Sequence, residues 1–138
     1  MKRMTFLGIL LSIIILAGVS SANAVFLEVD IDIKPGSFPN SINLTNNGVI
    51  TVAILTTNDF DASTIDFDTV VFGPAGAAMI HRKAHEEDVD EDGDLDLVFH
   101  FYTQETGLAC GDTEAGLNGV DFYGTIAGAG EVVIIVCD

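Results

Sequence analysis

Basic residues are nearly missing from this chain. Five Lys and Arg stand against 21 Asp and Glu. Beyond Ala24 only Lys34, Arg82 and Lys83 remain, and every acidic residue lies in that part, giving it a net charge of −18. A surface of that sign repels phosphates and anionic lipid headgroups, so neither nucleic acid nor a membrane is an expected partner of this part. It suits cation binding and keeps an exported protein soluble, and adaptation to a salty habitat is the bland alternative. Tryptophan is absent and aromatic residues make up only 8% of the chain, which argues against a platform for stacking sugars. Ser37, Ser41 and Ser63 have no G-x-S-x-G context, so no serine hydrolase is indicated. Acidic pairs are too common here for any one to mark a glycosidase. The chain is therefore not expected to be an enzyme. No window carries a helical apolar stripe, and there is no internal repeat, low-complexity tract or linker.

The amino-terminal segment has the make-up of an export signal. Lys2 and Arg3 precede an apolar run over 6–19, and Ala22-Asn23-Ala24 has the small-x-small form of a signal-peptidase site. The run is short for a bilayer-spanning helix, which needs about 20 apolar residues. Residues 1–24 are expected to be a cleaved signal peptide, with an uncleaved anchor as the alternative. Residues 25–138 then form one domain of 114 residues, enough for one modest core. Cysteine is scarce, at two residues. Cys110 and Cys137 have neither CxxC spacing nor a nearby His, which disfavours zinc or redox chemistry. Export favours a disulfide between them. It would close a loop of 28 residues and stabilise by roughly 3–4 kcal/mol; two free thiols are the alternative.

What remains reads as strands. Val25, Leu27, Val29, Ile31 and Ile33 alternate with Phe26, Glu28, Asp30 and Asp32, a period-two pattern with one buried face. Lys34-Pro35-Gly36-Ser37 and Asn46-Asn47-Gly48 are turn signals. The β-branched run 49–55 suits a central strand. Further strands are expected over 69–72, 77–85, 95–102, 114–123 and 131–137. Together they predict an all-β, Ig-like β-sandwich of about seven strands, with one hairpin closed by an acidic loop.

That loop is the informative stretch. Residues 88–96 carry Asp88, Asp90, Asp92, Asp94 and Asp96 at positions 1, 3, 5, 7 and 9, with Gly93 at position 6. Calcium wants six to eight oxygens at about 2.3–2.6 Å, and alternating Asp residues in a tight turn can aim carboxylates at one centre. Magnesium fits less well, because it demands near-octahedral geometry and keeps its waters. An EF-hand would place Glu at position 12, where this chain has Phe99 within a strand pattern. A solvated acidic turn is the plain alternative, at the cost of mutual repulsion among the carboxylates.

Asp88, Asp90, Asp92, Gly93 and Asp96 resemble the D-x-D-x-D-G-x-x-D calcium loop of integrin-type and related extracellular β-proteins. That resemblance implies side-chain ligands from Asp88, Asp90, Asp92 and Asp96 and a backbone carbonyl from Asp94. Glu91 departs from it, standing where Gly is frequent. The chain also resembles a domain recurring in secreted bacterial and archaeal proteins. The matching residues are Ile31-Asp32-Ile33-Lys34-Pro35-Gly36-Ser37, Pro39-Asn40-Ser41-Ile42-Asn43, Val52-Ala53-Ile54-Leu55, Asp59-Phe60-Asp61, Phe72-Gly73-Pro74, His85-Glu86-Glu87-Asp88, Leu97-Val98-Phe99-His100-Phe101 and Thr103-Gln104-Glu105-Thr106-Gly107. The resemblance implies extracellular placement and brings no established activity.

Two minor features complete the reading. His81 and His85 would share a strand face, with His100 across the hairpin. Exposed strand histidines are the plain interpretation and a transition-metal site the alternative. Asn43-Leu44-Thr45 is a glycosylation sequon in a host that uses one. The expected function is an extracellular, calcium-binding module for binding, adhesion or structure at the cell surface. The alternative is a subunit of a filament or matrix, joined to copies of itself by exchange of the amino-terminal strand.

Overall fold

Period-two alternation and β-branched composition favour strands. Eleven form among residues 26–137, the part of the chain described by the computed structural model. They are β1 (Phe26–Glu28), β2 (Ile31–Ile33), β3 (Ser41–Asn43), β4 (Val49–Ile54), β5 (Ile65–Phe72), β6 (Ala77–Ala78), β7 (His85–Glu87), β8 (Asp96–Tyr102), β9 (Glu114–Asp121), β10 (Thr125–Glu131) and β11 (Val133–Val136). One sheet runs β1-β10-β9-β5-β6 and a second β2-β4-β8-β7, while β11 and β3 form a parallel pair. The two larger sheets pack as a β-sandwich. The expected signal peptide, its cleavage after Ala24 and the strand position of Val25 lie outside the described residues.

The β-branched run does become an inner strand, with β4 between β2 and β8. Its Ile50, Val52 and Ile54 meet Leu97, Phe99 and Phe101 of β8 and Val70, Phe72, Leu117 and Ile126 of the opposite sheet in one buried cluster. Phe72 stacks on Phe101 with ring centroids 5.3 Å apart. Each such side chain contributes about 1.5–3 kcal/mol by leaving water.

The strand count exceeds the expected seven because two predicted strands are broken by crossings between sheets, and because β3 and β10 form where no strand is predicted. The segment predicted as one strand over 25–33 divides after Glu28. β1 pairs in parallel with β10, whereas β2 pairs antiparallel with β4. Alternation survives the step, since Val29 and Ile33 are both buried. The crossing lies tight against β10. A Cβ on Gly128 would come within 2.6 Å of Ile31 Cγ2, and one on Gly130 within 2.9 Å of Ile33 Cδ1. The segment predicted as a strand over 77–85 breaks as well. After β6 it passes to the other sheet, where Met79 bridges Phe101 and the Ile80 N–H donates to the His100 carbonyl at 2.9 Å. A bend follows, and β7 begins at His85.

Side chains lock the turns. Gln104 Nε2 donates to the carbonyls of Leu44 and Asn46 at 2.6 and 3.0 Å. The buried Thr106 hydroxyl donates to the Thr103 carbonyl at 2.8 Å, and the Ala75 N–H donates to the Thr106 carbonyl at 2.9 Å. Cys110 and Cys137 form the expected disulfide, with Cα atoms 5.7 Å apart. Among the described residues no helix is long and apolar enough to cross a membrane.

Candidate metal centre

The β7–β8 hairpin positions the acidic loop. Pairing of Glu87 with Asp96, Glu86 with Leu97 and His85 with Val98 closes the intervening residues into a tight turn. Two of them take left-handed backbone, Glu91 at φ 58° and Gly93 at φ 98°. Glycine adopts such angles without penalty, and most other residues do not. The departure noted at Glu91 thus falls on a position whose backbone favours Gly.

Leu97, Phe99 and Phe101 of β8 point into the core, so Asp96 points to the outer face of the sheet. It is nevertheless fully buried, because the loop folds over it. The Thr56 N–H donates to Asp96 Oδ1 and the Val89 N–H to Oδ2, both at 2.9 Å. Asp88 accepts from the N–H groups of Asp92 and Gly93 at 3.1 and 2.9 Å. The Asp92 N–H also approaches Asp90 Oδ1 at 3.3 Å, and the Asp94 N–H donates to Asp92 Oδ1 at 2.9 Å. Backbone donors therefore fix the carboxylates before any ion arrives.

Asp88, Asp90 and Asp96 are brought together, each offering an oxygen within 4.8 Å of the others. Ligands at about 2.3–2.6 Å from one calcium ion are at most about 5 Å apart, so the trio fits a shared cation. Each carboxylate has about four lone-pair sites, so the hydrogen bonds above leave capacity for a metal. Asp92 and Asp94 lie exposed in the same loop, outside this trio.

Electrostatics favours a cation here. The Asp90 carboxyl is pushed up by loss of hydration within the loop, then by a side-chain contact with the Asp92 carboxyl and the charges of Asp96 and Asp92, while the Asp92 N–H acts in the opposite sense. Asp32, on β2, is pushed up by burial and then by the charge of Asp96. Strand alternation marks Asp32 only as a wet-face residue, and the fold brings it into the field of Asp96, 64 positions away. Thr56 is a second contributor that the loop motif does not reveal. Its N–H holds Asp96, its hydroxyl donates to the Leu95 carbonyl at 2.7 Å, and that hydroxyl accepts from the Ala62 N–H at 3.1 Å.

The remaining predicted site residues lie elsewhere. Asn43 ends β3, where its Oδ1 accepts from the Thr45 N–H and hydroxyl at 2.9 and 2.8 Å. His85 and His100 pack edge to face on the outer side of the β7–β8 hairpin. No protein-family model, characterised protein or solved structure matches the chain.

Proposed function

We propose that this chain is an extracellular calcium-binding β-sandwich module with a binding, adhesive or structural role at the cell surface, and not an enzyme. The convergence of the Asp88, Asp90 and Asp96 carboxylates carries the reading. All-oxygen, hard ligands on a pre-shaped loop suit calcium among the common divalent ions. The disulfide is in keeping with an oxidising compartment. An open groove beside the loop, between Lys34, Pro35 and Gly36 on one side and Asp88, Val89 and Glu91 on the other, offers a ligand a surface next to the ion.

Thermal melts in EDTA and in millimolar calcium test the reading. An ion that binds the folded loop and not the unfolded chain stabilises by about 2.7 kcal/mol at a hundredfold excess over Kd. A rise of several degrees is expected, growing with the logarithm of free calcium. Equal melting temperatures would sink the calcium reading. The second reading, a self-assembling subunit, rests on β1. Among the described residues, this three-residue strand is at the edge of its sheet and pairs only with β10, the position from which a strand is most easily exchanged with a neighbouring copy.

A further inference from the structure

The three histidines of the chain come from separate parts of the fold to one shallow depression. Val49, Ile80, His81, His85, His100 and Tyr102 line it. His100 projects from the outer face of β8, opposite in direction to the core residues Phe99 and Phe101. His85 opens β7 across from Val98, one step diagonal to His100. His81 follows Ile80, whose N–H is bonded to the His100 carbonyl, so the bend carrying His81 is anchored beside the same strand.

The rings of His85 and His100 have centroids 5.7 Å apart at an interplanar angle of 83°. A tetrahedral ion about 2.0–2.1 Å from one nitrogen of each ring holds two imidazole centroids roughly 5 Å apart. The pair is thus within a small side-chain adjustment of chelating geometry.

We propose that His85 and His100, with water completing the coordination shell, form a second metal site for a borderline transition ion such as zinc or copper, with His81 on the rim of the same depression. Its imidazole ligands separate it chemically from the all-carboxylate loop at the other end of β7. Neutral nitrogen donors favour zinc, copper and nickel, whereas carboxylates and carbonyls favour calcium. Only three residues make up β7, so the two sites would share one short edge strand.

Copper(II) is the probe. The purified protein, kept in saturating calcium to occupy the acidic loop, is titrated near neutral pH. Electron paramagnetic resonance should then show hyperfine splitting from at least two nitrogens. Isothermal titration with zinc supplies the affinity. His85→Gln and His100→Gln should each weaken zinc binding by about tenfold or more and reduce the nitrogen count, with circular dichroism unchanged. Asp90→Ala should leave both readouts alone. A spectrum with oxygen ligands only, zinc binding that survives both histidine variants, or zinc binding lost in Asp90→Ala would each overturn the proposal. His85 is exposed, so its variant tests ligation even where His100→Gln perturbs packing.

Discussion

Asp90 and Asp96 carry the same side chain in the same loop, yet their substitution should have different consequences. Asp96 is fully buried and satisfies two backbone amides. Asp96→Ala leaves those amides without partners, at about 1–3 kcal/mol each, so it should lower the melting temperature even in EDTA. Asp90 is exposed, and Asp90→Ala should leave the melt in EDTA nearly unchanged while removing most of the gain from calcium. Paired melts of the two variants with and without calcium check this, and equal losses in EDTA would refute the assignment of structural and ion-binding roles. Asp32 gives the matching pH argument. Burial and the Asp96 charge hold its folded-state pKa above the unfolded value. The folded protein therefore keeps this proton to higher pH than the unfolded chain does. The stability it contributes is present at low pH and is lost as pH rises through the raised value. In calcium-free buffer, Asp32→Asn should stabilise the protein at neutral pH and flatten this part of the pH profile, measured by urea denaturation at several pH values. A variant less stable than the parent at neutral pH would count against the repulsion.

At the scale of the strand, Gly128 shows why part of this fold is hard to read from sequence. The stretch Thr125–Glu131 is rich in Gly and Ala and has almost no β-propensity, so no strand is predicted there. It forms β10, in the interior of its sheet, because a residue without Cβ is what the crossing from β1 to β2 requires overhead. In the same way, alternation over 25–33 identifies the buried face but not the change of sheet, since both halves point toward one core. The run 49–55 and the alternation over 95–102 are legible because β4 and β8 each stay in one sheet, although Leu95, expected on the apolar face, is exposed, and Asp96 and Val98, expected on the wet face, are buried. The acidic loop is legible because its spacing is local. Asp32 and Thr56 are not, because only tertiary pairing of β2, β4 and β8 brings them to it. Gly128→Ala should destabilise by about 1–3 kcal/mol through overpacking, since the new Cβ meets Ile31 Cγ2 and the Val29 carbonyl, at 2.6 and 2.7 Å. Gly36→Ala serves as a control for backbone strain alone, since Gly36 has φ 82° with nothing within 4 Å of its Cβ position. Equal losses from the two in urea denaturation would remove the packing explanation.

For the whole molecule the open choice is between a self-contained domain and a strand-exchanging subunit, and the amino-terminal strand pair decides it. β1 and β2 each complete a different sheet of their own chain, and Val29 between them is buried, with its N–H donating to the Ala127 carbonyl at 2.9 Å. Ile31 and Ile33 fill the space left by Gly128 and Gly130. Removing residues 25–32 would strip an edge from both sheets and open the core along β10, a loss that a marginally stable domain of this size cannot absorb. Charge points the same way. The residues beyond Ala24 carry a net charge of −18, so two copies repel each other unless cations intervene. The deletion is therefore expected to unfold, with circular dichroism showing loss of strand signal, while the intact protein stays monomeric by light scattering at low salt. In a strand-exchanging subunit the outcome inverts. The intact protein would form polymers, most readily in calcium where repulsion is relieved, and the deletion would leave folded monomers able to cap a chain but not extend it. Folded, soluble deletion protein alongside calcium-dependent polymers of the intact chain would overturn the self-contained reading and identify β1 and β2 as the exchanged element.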